Sequence, residues 1–221
     1  MEEHVTQPRF PRYRMSLPVL YRSTPGFGSV GAGWTRDLSE GGACVELDER
    51  LWPATPVELR LHTDRGSIEL KAQVVWSGQP NPDGGNIHGV TFIQVPATRG
   101  QALRDLLRTQ EDSRESRIRL PLVLAVACRP KGRPGPPLYG RTGDISRGGL
   151  SLRLLHAFPP GMKLDIILHT PAGPLPAEGM IAWVAPPDRR RPGQLIHHGL
   201  RFTTLDWSIS LSLGLGVVES G

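Results

Sequence analysis

Hydrophobic positions along this chain come in short runs, several of them alternating with polar ones. Residues 43–47 read Ala-Cys-Val-Glu-Leu and residues 150–154 read Leu-Ser-Leu-Arg-Leu. A period of two with one apolar face predicts a half-buried β-strand. Residues 17–21 and 120–126 are apolar runs, and Gly/Pro-rich stretches follow them at 24–33 and 130–137; those stretches are expected turns. Residues 57–61 and 164–168 follow Pro-containing loops and predict a strand each, as do 68–76 and 175–184. Loops at 80–86 and 186–193 lead into a closing strand that contains Phe92 or Phe202. About five to seven short strands per half, with turns at regular spacing, predict a small antiparallel barrel. The one clear helical pattern is 98–109, where Leu103, Leu106 and Leu107 fall at helical spacing.

The two halves repeat one another. Asp37-Leu38-Ser39-Glu40-Gly41-Gly42 recurs in the second half as Asp144-Ile145-Ser146-Arg147-Gly148-Gly149. Val75-Trp76 recurs at the same interval as Ala182-Trp183. His88-Gly89-Val90-Thr91-Phe92 recurs, at a slightly longer interval, as His198-Gly199-Leu200-Arg201-Phe202. Three matches in the same order and nearly one register predict two copies of one domain, residues 1–110 and 111–221. The charged stretch 110–115 is the expected junction, and 98–109 ends the first copy. The second copy ends in residues 207–216, which alternate apolar and small side chains and fit a strand or a weak helix. Their apolar face offers a route to a homodimer, although packing against their own barrel is the expected arrangement.

Composition agrees with short strands and many turns. The chain has 26 glycines and 22 prolines in 221 residues, which favours all-β structure with short helices. The net charge of +5 is mildly basic, suiting an anionic ligand rather than a coat on nucleic acid. No helix-turn-helix or zinc pattern is present, so no DNA partner is expected. Arginines gather at 9, 12 and 14, at 114, 117 and 119, and at 189–191. The last group lies in a Pro/Gly loop and reads as solvated.

Cys44 and Cys128 have no CxxC or Cys/His spacing, so they read as reduced, small core residues. His197 and His198 are adjacent and would point to opposite faces of a strand, which rules out joint chelation. No metal site is expected. His88 and His198 read as strand-edge residues, and Trp76, Trp183, Phe92 and Phe202 as barrel packing. There is no nucleophile elbow, HExxH or P-loop, so no catalytic residue is predicted. Neither a secretory signal nor a long apolar run is visible. A cytoplasmic protein without a membrane span is expected.

Arginines ahead of a first strand, then DxSxxG, then a Trp and a Gly-x-x-Phe strand resemble the PilZ domain, here in two tandem copies. The resemblance implies two small six-stranded antiparallel barrels, each with a C-terminal helix. It also implies a bacterial, non-catalytic receptor for the second messenger cyclic di-GMP, with output through a protein partner or a change in domain orientation. The family binds its ligand through an RxxxR arm and a [D/N]xSxxG turn. Carried over, the candidate residues are Arg9, Arg12, Asp37, Ser39 and Gly42 in the first copy. In the second they are Arg114, Arg117, Asp144, Ser146 and Gly149.

Chemistry supports that division. Guanidinium groups grip phosphate in two-pronged fashion and lie flat on purines. A carboxylate accepts from guanine N1–H and N2–H₂. Both DxSxxG turns are complete, but both arms read RxxR, one residue short, when Arg12 is matched to Arg117. The alternative is a PilZ-like interaction module that has lost the nucleotide.

Overall fold

The computed structural model describes residues 10–23, 29–81, 85–111, 119–171, 173–186, 193–204, 211 and 213. The chain folds as two compact units, Met1–Ile118 and Arg119–Gly221.

In the first unit a short strand β1 (Tyr13–Arg14) precedes β2 (Pro18–Ser23), β3 (Val30–Leu38), β4 (Gly42–Leu47), β5 (Pro56–Thr63), β6 (Gly66–Pro80) and β7 (Asn86–Ile93). The pairing runs β3-β2-β5-β6-β7-β4, and β4 returns to β3, so six antiparallel strands close a barrel. β1 lies outside the ring, on β3. The interior is filled by alternate residues of each strand, among them Val19 and Tyr21, Val45 and Leu47, Leu59 and Leu61, and Leu70, Ala72 and Val74. The helix α1 (Ala97–Glu111) adds Leu103 and Leu107 to that core.

The second unit repeats the plan. Its strands are β8 (Leu120–Pro121), β9 (Ala125–Pro130), β10 (Leu138–Ser146), β11 (Gly149–Leu154), β12 (Lys163–Thr170), β13 (Gly173–Val184) and β14 (Ile196–Thr204). The ring is β11-β14-β13-β12-β9-β10, closed by β10 on β11, with β8 outside on β10. The interval that carries Asp37 onto Asp144 also carries the start of β5 onto the start of β12, and that of β6 onto that of β13. It is slightly longer at the third strand, Val30 to Leu138, and longest at the last, and the loop before β14 is longer than that before β7. Leu211 and Leu213 are helical, and Leu213 is buried; the rest of segment 207–216 lies outside the described residues, as do Arg189–Arg191.

Two expectations need correcting. Residues 30–33 are strand, not turn. The glycines there serve close approach: a Cβ on Gly33 would stand 2.1 Å from the Glu46 carbonyl oxygen of the paired strand. His88 and His198 are not at a strand edge but fully buried. His88 Nε2 accepts the Leu51 N–H at 2.9 Å, and His198 Nε2 accepts the Phe158 N–H at 3.1 Å. Each imidazole therefore anchors the loop between the fourth and fifth strands of its unit.

Candidate functional site

A buried threonine fixes each arm to its barrel. Thr35 Oγ1 donates to the Met15 carbonyl at 2.6 Å and accepts the Leu17 N–H at 2.8 Å. Thr142 does the same with the Leu122 carbonyl and the Leu124 N–H. The short β1 and β8 pairings follow from this, placing Arg14 opposite Asp37 and Pro121 opposite Asp144. The arm is then held within side-chain reach of the motif carboxylate.

Arg12 Nη1 donates to Asp37 Oδ1 at 2.6 Å, and Arg119 Nη1 bonds Asp144 Oδ1. Arg119 follows Arg12 by the same interval that separates the two aspartates. The structural equivalent of Arg12 is therefore Arg119, which corrects the match to Arg117. Arg9, Arg114 and Arg117 lie outside the described residues. Both pairs are partly solvated, with side-chain exposures of 42% and 28% in the first and 37% and 36% in the second. Exposed pairs of this kind contribute only about 0–1 kcal/mol, so a competing ligand can displace them cheaply.

The remaining motif residues are held in the turn itself. Ser39 Oγ donates to the Gly42 carbonyl at 3.0 Å, and Ser146 Oγ to the Gly149 carbonyl at 3.2 Å. Both serines are buried. A Cβ on Gly42 would lie 2.3 Å from the Val90 carbonyl oxygen, and one on Gly149 2.2 Å from that of Leu200. These glycines let the fourth strand approach the seventh. Gly41 supports the arm instead, since the half-exposed Phe10 ring sits where its Cβ would be.

The outer face beside each aspartate ends in an indole. Asp37 faces Cys44, which faces Gly89, and Trp76 lies over Gly89. In the second unit Ser151 faces Gly199, which Trp183 covers. The Ser151 hydroxyl accepts the Asp144 N–H at 2.9 Å. Trp76 and Trp183 are 45% and 46% exposed, so each has one face on a glycine and much of its surface open to solvent. Asp37 Oδ1 also accepts the Cys44 N–H at 3.2 Å, so the carboxylate leans across the small residue that separates it from the indole-covered glycine. Burial pushes the Cys44 thiol up and Asp37 adds to this, while Arg36 and then Arg12 oppose it; the net shift disfavours the thiolate.

A groove of about 770 Å³ on β9, β10, β12 and β13, lined in part by Tyr139 and Ile167, contains none of these motif residues. Among the described residues no His/Cys/Asp/Glu group could hold a metal, and no helix is long and apolar enough to cross a membrane.

The PilZ domain family matches residues 6–109 and again 111–208. This chain belongs to the PilZ family. Among curated proteins none matches it by sequence. Solved PilZ structures similar to it include the PilZ domain of CeSA from a cellulose-synthesising bacterium. That domain is 25% identical, with a TM-score of 0.37, over 46% of this chain and 98% of that one. The PilZ domain of YcgR from Escherichia coli, solved with c-di-GMP, is 16% identical with a TM-score of 0.41, over 48% and 93%. PlzA from Borreliella burgdorferi, in complex with c-di-GMP, is 13% identical with a TM-score of 0.41, over 92% and 93%.

Sequence reasoning missed Arg119, Arg14, the two threonines and the open indoles as surroundings of the motif aspartate, each in its own unit. The signal for the first was available, because the interval from Asp37 to Asp144, applied to Arg12, lands on Arg119. The same interval relates Thr35 to Thr142, which lengthens the repeated motif to TxDxSxxG.

Proposed function

We propose that this PilZ protein is a non-catalytic receptor for cyclic di-GMP, with one site on the outer face of each barrel. The reading is carried by one observation: an arm arginine lies on the motif aspartate in both units, at equivalent positions of the repeat. In the free protein Arg12 and Arg119 satisfy the carboxylates. A guanine edge offering N1–H and N2–H₂ replaces the guanidinium on Asp37 or Asp144. The released arginine then takes the phosphate, where the contact is charge-assisted and two-pronged. Trp76 or Trp183 supplies a face for stacking the base, a contact worth about 1–3 kcal/mol per base. Ser39, Gly42, Ser146 and Gly149 act by holding the turn. Arg9, Arg114 and Arg117, on the arms, are the further phosphate partners, and a protein partner reads the rearranged arm.

Calorimetric titration of the full chain with cyclic di-GMP, with GTP and cyclic di-AMP as controls, tests this reading. Micromolar or tighter binding that is selective for cyclic di-GMP is the expected result. Absence of heat and of any thermal shift near a millimolar would overturn it and leave the interaction-module reading.

A further inference from the structure

The two barrels differ at one spot on the face beside the aspartate, and the difference is compensated. In the first barrel a bulge in β3 falls between Thr35 and Asp37, and its extra residue is the exposed Arg36. Bulges re-aim side chains. The facing strand carries Glu46, which is fully buried and accepts from Asn81 Nδ2 at 3.0 Å.

In the second barrel the bulge recurs in β10, but the position of Arg36 is Gly143 and that of Glu46 is Arg153. Arg153 leans along the sheet onto this glycine. Its Nε and an Nη lie 3.3 Å from where a Gly143 Cβ would be, and Ser151 Oγ lies 2.7 Å from the same point. The second barrel thus brings a guanidinium from β11 to the backbone position, next to the motif aspartate, that itself carries an arginine in the first barrel. An arginine lost on one strand is regained on the next.

The second barrel accepts an electrostatic cost for this. Arg141 is directly opposite Arg153 in the β10–β11 ladder, and His197 faces Arg153 on the other side. Like charges directly opposite are unfavourable. Among the described residues Arg36, Arg141 and Arg153 form no ion pair with a carboxylate. An arginine supplied to this position by two different routes, with no carboxylate ion pair among the described residues, suits an external anion.

We infer that Arg36 in the first barrel and Arg153 in the second bind a phosphate group, completing the anion site begun by Arg12 and Arg119. The ligand class is a phosphodiester or pyrophosphate. That it belongs to a guanine dinucleotide rests on the reading given under Proposed function; the anion site itself does not.

The test uses the full chain and two probes. The first is inorganic pyrophosphate at low salt, followed through the arginine Nε–Hε resonances. The signals of Arg36 and Arg153 should shift, while that of Arg65, on the β5–β6 hairpin, should not. The second is cyclic di-GMP, titrated against wild type, R36Q, R153Q and the control R65Q, with folding checked by thermal denaturation. R36Q and R153Q should each weaken one site by about tenfold or more, as expected for loss of a charged hydrogen bond, and R65Q should not. Wild-type dinucleotide binding that both variants retain within about twofold overturns the inference and leaves the receptor reading standing. If wild type binds no dinucleotide, the receptor reading fails, and pyrophosphate decides alone. Shifts confined to Arg36 and Arg153 then support an anion site, and their absence overturns it.

Discussion

The imidazole of His88 accepts the backbone N–H of Leu51 at 2.9 Å, and the side chain is fully buried. An accepting Nε2 must keep its lone pair, so the fold requires the neutral ring. Burial pushes the His88 imidazole below its ordinary value of 6.5. Below that pH the unfolded chain binds a proton that the folded chain resists, so stability is full above 6.5 and declines as the pH falls beneath it. The lowered His62 adds in the same direction. Hydrogen exchange at pH 7.5 and 5.5, corrected for intrinsic rates, should show weaker protection of β4 and β7 at the lower pH. Substitution of His88 by Gln should flatten that dependence.

Thr35→Val should cost about 1–3 kcal/mol, because it strands the buried Leu17 N–H and Met15 carbonyl. Thr142→Val should do the same through Leu124 and Leu122. Denaturant unfolding gives the size of the loss. Faster exchange of the Leu17 or Leu124 amide would locate it at the arm.

Adjacent glycines should respond differently. Gly42→Ala places a methyl 2.3 Å from a backbone carbonyl of the neighbouring strand, and overpacking of that kind costs about 1–3 kcal/mol. Gly41→Ala meets only the movable Phe10 ring, 2.8 Å away, and should stay within about 0.5 kcal/mol. Paired melting curves check both, and equal losses would contradict the assignment.

Asp37→Asn and Asp144→Asn separate binding from folding. The exposed pairs with Arg12 and Arg119 contribute little stability, so each variant should unfold within about 1 kcal/mol of wild type. Cyclic di-GMP affinity at the altered barrel should fall by about tenfold or more, since an amide cannot accept two guanine N–H groups as a carboxylate does. Calorimetry with a two-site fit reads the difference.

The barrels were legible because the repeat and the strand alternation are both local patterns. Burial of alternate residues in β5 and β12 reproduces the period of two seen in the sequence. The arm was less legible. RxxR spacing invited a match of Arg12 to Arg117, whereas the register is set by a buried threonine on a different strand, through Thr35 to Leu17 and Thr142 to Leu124. The histidines were misplaced because their partners, Leu51 and Phe158, are backbone amides 37 and 40 residues away. The approach of Arg153 to the motif aspartate was invisible in the sequence since it depends on Gly143, an absence of side chain on another strand.

The turn that carries DxSxxG is also the hairpin by which β3 meets β4 and the ring shuts. Its serine and final glycine would be kept by any sequence that needs to close such a cylinder, with or without a nucleotide to bind. A search for receptors by this motif therefore finds closed barrels first. In the proposed receptor, ligand recognition rests instead on the aspartate and the arginines that surround it, positions that can change while the hairpin stays the same.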